Sequence, residues 1–375
     1  MLPEVLRQSP ASRLRSAVLR VAARSPLGLS PRPVAGRTSS YGFLPHRCVQ
    51  EGEQVLILGA THALSCAAAV RWCAPGGKLT VVEPTEAVLE GAAELIRRAN
   101  GSMAGVDVRL VRSALEDLRT DPDFLSEFLA GNPVTDLLSF RHLESALAGQ
   151  RTRAPLVPDS SADVVIADAA LNRVAPERIE LLLGEVCRVL KPGGRVVLTV
   201  LLVDERLPRP LPEIEVDGLH LRFTPGESEA ADLLIRAGFF GISYGWRAGL
   251  PFLVIEGREL RAFVLEGVKA EKTRCLDQGH AVMYRGPFER AHDDGGHVYV
   301  RGERTSVCGK TFQVLNSPPY AGHFVGIEPY APVPESSALP FDDMTPRVRD
   351  PRVTKGLVPL RSGREPGAAP QGKCC

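Results

Sequence analysis

The sequence predicts an α/β three-layer sandwich, in which helices cover both faces of a mainly parallel β-sheet. Two observations predict this fold class. Short apolar runs, typical of strands that are buried on both faces, alternate with helical stretches over residues 54–245. Within that range, residues 54–83 form one strand–turn–helix–strand unit with the layout of a nucleotide-binding half-fold.

This unit begins with an apolar run at 55–58 and a sharp turn at Gly59. An Ala-rich helical stretch follows over 61–73, and a Pro-Gly-Gly sequence ends it. The second apolar run, at 79–82, ends on Glu83. In nucleotide-binding half-folds an acid about 20 residues beyond the glycine turn binds the ribose hydroxyls, so Gly59 and Glu83 are candidate cofactor-binding residues.

The turn after the first strand contains fewer glycines than a full nucleotide-binding loop. A full loop reads G-x-G-x-G, whereas residues 59–63 read GATHA. Each missing glycine adds a Cβ where ligand and backbone approach closely, although Ala60 and Thr61 still occupy cofactor-binding positions. His62 either contacts the cofactor or faces solvent. The alternative is therefore a strand–helix–strand unit of this layout that binds no nucleotide.

The remaining elements alternate in the same way. Helical patterns are predicted over 86–99, 176–190 and 226–237, strands over 106–111, 163–168 and 195–203, and two further strands within 242–268. Residues 119–160 read as an insertion, with helical patterns at 123–130 and 135–149.

Loops at the carboxyl ends of parallel strands form the ligand crevice of such a sheet. The loop at 113–118 contains Leu115, and we expect Glu116 and Asp117 in this loop to approach an adenine amino group. A solvated acidic turn is the alternative. Asp168 ends the strand at 163–168 and is a candidate to contact both cofactor and substrate. The alternative for Asp168 is a carboxylate that caps the helix that follows.

Composition narrows the function classes. The chain has 375 residues, enough for two domains, with 44% hydrophobic and 24% charged residues. A net charge of +1 gives no overall attraction to nucleic acid or to anionic membranes, and the longest apolar run, at 196–203, is too short to span a bilayer. The eight cysteines are scattered without a C-x-x-C pair, which favours reduced thiols in a reducing compartment.

The N-terminal segment is basic. Residues 5–50 contain eight arginines and no Asp or Glu, together with many Ser, Pro and Ala residues. This composition fits an organelle transit peptide over residues 1–40, and a poorly ordered leader or a lid helix are alternatives. We expect a cytoplasmic protein, and the basic N-terminal segment makes an organelle the alternative location.

Two sets of motifs carry a family resemblance. The strand ADVVIAD at 162–168, the segment RVLKPGGRVVLT at 188–199 and the acid that ends the second strand resemble a class I S-adenosylmethionine (SAM)-dependent methyltransferase, a Rossmann-like fold. The segments at 281–315, 317–329 and 350–356, with the terminal Cys374-Cys375, are similar to the C-terminal domain of the arsenite methyltransferase family. The resemblance covers about residues 41–375.

The resemblance implies domains and chemistry. It implies a SAM-binding domain at 41–245, a smaller α+β C-terminal domain at 246–335 and a tail at 336–375. It also implies SAM as the cofactor, a metalloid or small-molecule acceptor such as trivalent arsenic, a thiol reductant as partner, and a role in metalloid detoxification. We expect a monomer that binds neither nucleic acid nor membrane.

The thiols depart from the family pattern. Ala169 stands where the family has an arsenic-binding cysteine, and Cys66, after the glycine turn, is the retained one. The resemblance makes Cys66 and Asp168 the candidate catalytic residues, and Cys66, Cys374 and Cys375 the candidate metalloid ligands. Cys66 as a buried apolar residue, and the terminal pair as a disordered tail, are the alternatives. A catalytically inactive paralogue that acts as a binding or scaffold protein is the alternative function.

Overall fold

The computed structural model describes residues 32–33, 48–61, 63–100, 105–207, 214–216, 219–270, 274–293, 296–342 and 345–360. The chain divides into two compact units, Met1–Ala270 and Glu271–Cys375. His62 and the terminal Cys374-Cys375 lie outside the described residues. So does the Arg-rich leader at 1–40, apart from residues 32–33. None of the described helices is long and apolar enough to cross a membrane.

The described part of the first unit contains eleven strands, nine of which form one sheet. They are β1 (Arg32–Pro33), β2 (Gln54–Leu58), β3 (Lys78–Val82), β4 (Asp107–Val111), β5 (Ala162–Asp168), β6 (Leu190–Val203), β7 (Ile214–Val216), β8 (Leu219–Leu221), β9 (Phe239–Arg247), β10 (Leu253–Ile255) and β11 (Arg258–Lys269).

The sheet has a parallel centre and an antiparallel edge. Its strand order is β1-β10-β11-β6-β5-β2-β3-β4, with β9 also paired to β11, while β7 and β8 form a separate antiparallel pair. β2 pairs in parallel with both β3 and β5, so the strand order reverses around β2. In doubly wound sheets ligands bind at this reversal, beyond the carboxyl ends of the strands.

Helices cover both faces of the sheet. In chain order, the described helices of the first unit are α1 (Ala63–Cys73), α2 (Glu86–Asn100), α3 (Pro122–Gly131), α4 (Leu137–Arg153), α5 (Ala170–Arg173), α6 (Ile179–Val189) and α7 (Glu227–Arg236). Alternate residues of β2 point to opposite faces. Leu56 and Leu58 share a core with α6 and α7, whereas Val55 and Ile57 share a core with α1 and α2.

The insertion forms a helical hairpin, as the sequence predicts. Asp121 caps α3, and Asp136 makes a capping box with Ser139 at the start of α4. α3 contains no buried residue, and Gln150 is the buried residue of α4. The ring of Phe128 on α3 packs edge-on against His142 on α4, and Gln150 donates to the Arg119 carbonyl at 3.0 Å.

The second unit is a small α+β fold. Its described elements are β12 (Leu276–Asp277), β13 (Ala281–Tyr284), β14 (Arg290–His292), β15 (Val298–Val300), β16 (Arg304–Ser306), α8 (Gly309–Leu315), β17 (Phe324–Ile327), β18 (Leu339–Pro340) and α9 (Pro351–Thr354). β13 lies between β16 and β17 in a three-stranded antiparallel sheet. Val282, Tyr299 and Phe324 belong to its buried core.

The domain boundaries differ from those predicted. The first unit ends at Ala270 rather than at residue 245, because β11 pairs along most of its length with β6. The predicted tail at 336–375 is also partly folded. β18 pairs with β12, and Arg349 forms a buried ion pair with Asp277 at 2.7 Å, so the described residues up to 360 include parts of the second unit's core.

Candidate functional site

The turn after β2 requires glycine at its first position. Gly59 has φ +83°, and its N–H donates to the Val82 carbonyl at 2.9 Å. A Cβ built on Gly59 would lie 2.5 Å from the backbone oxygen of Asp168, at the end of β5. Only glycine therefore lets the ends of β2 and β5 approach this closely.

Glu83, directly after β3, is completely buried and accepts four hydrogen bonds. The backbone N–H groups of Ala60 and Thr85 donate to its two oxygens at 2.9 and 2.8 Å. The guanidinium of Arg173 donates to both oxygens as well, at 2.7 and 2.6 Å. The predicted cofactor acid is thus joined to the glycine turn and to the end of α5.

Glu83 remains ionised at neutral pH. Burial raises the pKa of its carboxyl, but the hydrogen bonds and charge of Arg173, together with the Ala60 and Thr85 N–H groups, outweigh burial and hold the pKa below its ordinary value. Glu83 is therefore a buried carboxylate whose negative charge is paired with Arg173.

Arg173 is the functional-site residue that the sequence interpretation missed. It is the last residue of α5, its side chain is 13% exposed, and it also donates to the Thr61 hydroxyl at 3.4 Å. Thr61 and Glu83 lie far from Arg173 in sequence, so the pairing depends on the fold. The available signal was a basic residue soon after the strand that ends at Asp168.

Asn172 fixes the backbone of α5. Its Nδ2 donates to the carbonyls of Leu201 and Phe223 at 2.9 and 3.0 Å, and its Oδ1 accepts from the Leu201 N–H at 2.8 Å. α5 also starts from Ala169 in a left-handed conformation, with φ 53°, which favours glycine. The position of the Arg173 backbone is therefore set by a buried network.

Asp168 lies below the crevice. It is completely buried and accepts a hydrogen bond from the Thr199 hydroxyl at 2.7 Å. The structure brings its backbone against Gly59 and holds its carboxylate against the Thr199 hydroxyl of β6. A role for Asp168 in catalysis or cofactor binding stays a prediction.

A cavity of about 810 Å³ opens beside Arg173. Leu115 and Glu116 line it, as do Pro84 and Arg222. The predicted adenine-side residues therefore share one cavity with the residue that pairs with Glu83. Glu116 itself accepts from Arg178 at 2.7 Å, and its side chain is 14% exposed.

Comparison with known proteins gives two family models and one curated relative. Residues 139–198 match a methyltransferase domain, and residues 271–358 match a domain of unknown function, DUF8838. The chain is 26% identical over 260 residues to an arsenite methyltransferase from Aquipseudomonas alcaligenes. The chain is therefore similar to an arsenite methyltransferase over part of its length. The match covers 60% of this chain and 66% of that protein, just under two thirds of its length.

Solved structures similar to this chain include two methyltransferases. An arsenic(III) S-adenosylmethionine methyltransferase from Chlamydomonas reinhardtii is 20% identical, with 77% of this chain and 90% of that chain covered and a TM-score of 0.47. A 1,6-didemethyltoxoflavin-N1-methyltransferase from Burkholderia thailandensis is 17% identical, with 59% and 72% covered and a TM-score of 0.35. The strand order and the methyltransferase domain match confirm the predicted fold class.

Cys66 is a buried core residue of α1. It is 0% exposed and belongs to the same cluster as Ala69 and Val70. Burial, with the carboxylates of Asp168 and Glu83 nearby, raises the pKa of its thiol to about 12. No group of three or more His, Cys, Asp or Glu side chains that could hold a metal ion occurs among the described residues. Catalysis or metalloid binding by Cys66 stays a prediction, as it does for Cys374 and Cys375.

We expect Cys66 to resist alkylation in the folded protein. A pKa near 12 rather than 9.0 lowers its thiolate fraction at pH 8 by about 1,000-fold. Iodoacetamide labelling followed by peptide mass spectrometry should modify the partly exposed Cys187 first and Cys66 only after denaturation. Equal labelling rates for the two cysteines in the native protein would contradict this expectation.

Proposed function

We propose that this chain transfers a methyl group from SAM to trivalent arsenic or another soft acceptor. One observation carries the proposal: an ionised Glu83 at the end of β3, bonded to the turn after β2, where the strand order reverses. This is the position at which doubly wound folds bind the ribose of a nucleotide. The likeness to an arsenite methyltransferase supports the choice of acceptor.

The residues of the crevice fit SAM in their chemistry. Glu83 supplies the acceptor for ribose hydroxyls, and the turn at Gly59 and Ala60, with Thr61, gives the backbone a close approach to the ligand. Glu116, at the cavity wall, supplies an acceptor for an adenine amino group. Leu115 forms an apolar part of the same wall.

The methyl group of SAM is electrophilic, and a soft acceptor has a lone pair that needs no general base. The main task of the chain is therefore to align the two reactants, a gain of proximity and orientation. With Ala169 at a position where the family has cysteine and Cys66 neutral and buried, the acceptor would arrive as a complex with an external thiol reductant. A monomer in the cytoplasm is part of this proposal.

Incubation with SAM, arsenite and a thiol reductant tests the proposal. We expect methylated arsenic species above the enzyme-free blank, measured by chromatography with elemental mass spectrometry. Glu83→Gln should lower the rate about tenfold or more, because ribose hydroxyls lose a charged acceptor. Glu86→Gln is the matched control, since its side chain is 67% exposed and pairs with Arg112 outside the crevice.

Two results separate the parts of this proposal. If SAM is demethylated but arsenic stays unmethylated, another acceptor is the substrate. If neither SAM turnover nor SAM binding occurs, the methyltransferase proposal is wrong, and the chain is a binding protein on this fold.

A further inference from the structure

We propose that Arg173 is a latch on the cofactor crevice. Its guanidinium occupies the place of the ribose hydroxyls at Glu83, so the cofactor binds only after this side chain moves away. The inference rests on the proposed function, because it concerns the same crevice.

Both carboxylate oxygens of Glu83 already accept two hydrogen bonds each. Oε1 accepts from the Thr85 N–H at 2.8 Å and from Nη2 of Arg173 at 2.6 Å. Oε2 accepts from the Ala60 N–H at 2.9 Å and from Nη1 at 2.7 Å. A carboxylate oxygen has about two acceptor positions, so all of them are filled. Ribose hydroxyls could donate to Glu83 only by replacing the Arg173 donors.

The guanidinium of Arg173 matches the Glu83 carboxylate in shape. A guanidinium presents two parallel N–H groups to a carboxylate, and this bidentate pairing is among the strongest that proteins make. Two neighbouring hydroxyls present the same number of donors to the same two oxygens. Arg173 therefore satisfies Glu83 in place of the ribose and competes with it directly.

The guanidinium of Arg173 also lies against the glycine turn. Nη1 of Arg173 lies 3.3 Å from the position that a Cβ on Gly59 would take, and it donates to the Thr61 hydroxyl at 3.4 Å. The guanidinium thus also covers the part of the turn where backbone and ligand approach each other closely. A single side chain occupies the space beside both cofactor elements.

The side chain of Arg173 can move away from Glu83 while α5 stays folded. Asn172 holds the backbone of α5 to Leu201 and Phe223, so motion is confined to the side chain of Arg173. That side chain lines the cavity of about 810 Å³, which gives it room to rotate. Glu177 lines the same cavity and provides negative charge for a displaced guanidinium.

Calorimetric titration with S-adenosylhomocysteine tests the latch on the full chain. Arg173→Met keeps much of the side-chain length and removes the guanidinium donors. We expect the affinity of this variant for S-adenosylhomocysteine to rise about tenfold, because no guanidinium then competes with the ligand for Glu83. Arg173→Lys keeps the charge but loses the bidentate pairing, so its affinity should lie between those of the wild type and Arg173→Met. Arg112→Met, which removes a 62% exposed arginine paired with Glu86, should leave the affinity unchanged.

The outcomes distinguish the latch from the proposed function. If the wild type binds and Arg173→Met binds equally or more weakly, the latch is wrong while the proposed function stands. If no folded variant binds at millimolar ligand, both are wrong. Should Arg173→Met fail to fold, as judged by circular dichroism, Arg173→Lys decides: tighter binding than the wild type supports the latch, and equal or weaker binding overturns it.

Discussion

Gly59→Ala is expected to abolish cofactor binding and to lower the free energy of unfolding of the first unit by about 2–4 kcal/mol. The new Cβ would lie 2.5 Å from the backbone oxygen of Asp168, which is held in a central strand and has little room to move. The φ of +83° adds about 1 kcal/mol for a non-glycine residue. Denaturant unfolding followed by tryptophan fluorescence measures this loss, because Trp72 and Trp246, the two tryptophans, both belong to the first unit.

Gly52→Ala is the matched control for this substitution. Gly52 has nearly the same conformation, with φ +79°, but nothing lies within 4 Å of the position that a Cβ on it would take. It should therefore show only the conformational cost of about 1 kcal/mol and leave ligand binding intact. Equal losses of stability for the two variants would show that the contact between the ends of β2 and β5 is not what requires Gly59.

Asp277→Ala is expected to destabilise the second unit by about 3–5 kcal/mol. Asp277 pairs with both terminal nitrogens of Arg349, at 3.2 and 2.7 Å, and the two side chains are 6% and 4% exposed. It also accepts from the Gly279 N–H at 2.9 Å. Removing the carboxylate leaves a buried guanidinium without its charge partner, and the cost of that desolvated charge dominates.

Hydrogen exchange measures the effect of Asp277→Ala locally. Amide protection should fall across β13 and β16 of the second unit, while β2 and β3 of the first unit keep theirs. Glu289→Ala is the control, since Glu289 pairs with Arg290 at the surface and is 78% exposed. Loss of protection no greater than in the Glu289 variant would contradict a structural role for the buried pair.

Local patterns in the sequence were sufficient to predict most elements of the first unit. The strands at 55–58 and 79–82 are short apolar runs that end in turn residues, and both appear in the sheet with extra residues at their starts. The two helices of the insertion are predicted from their helical patterns, and the structure adds the caps Asp121 and Asp136. These features depend on neighbouring residues alone.

Features that depend on distant pairing were harder to predict. The end of the first unit was placed too early, because the pairing of β11 with β6 joins segments far apart in the chain. Glu83 was identified from its spacing after Gly59, but its partner Arg173 is 90 residues away. A sequence pattern can place a carboxylate at a strand end, whereas the side chain that occupies it is set by packing.

The sequence spacing of the candidate residues does not predict whether their side chains are buried. Cys66 and Asp168 were chosen by their positions in the pattern, and the fold encloses both side chains completely. A helix position next to a glycine turn can face either the crevice or the core. In α1, the core cluster shared with Val70 decided the direction of Cys66.

The most direct test of the account is a crystal structure of the chain with S-adenosylhomocysteine. The account predicts ribose hydroxyls within about 3 Å of the Glu83 carboxylate and the Arg173 guanidinium displaced into the adjoining cavity. Ligand bound elsewhere, with the Glu83–Arg173 pair intact, would contradict the assignment of this crevice as the cofactor site.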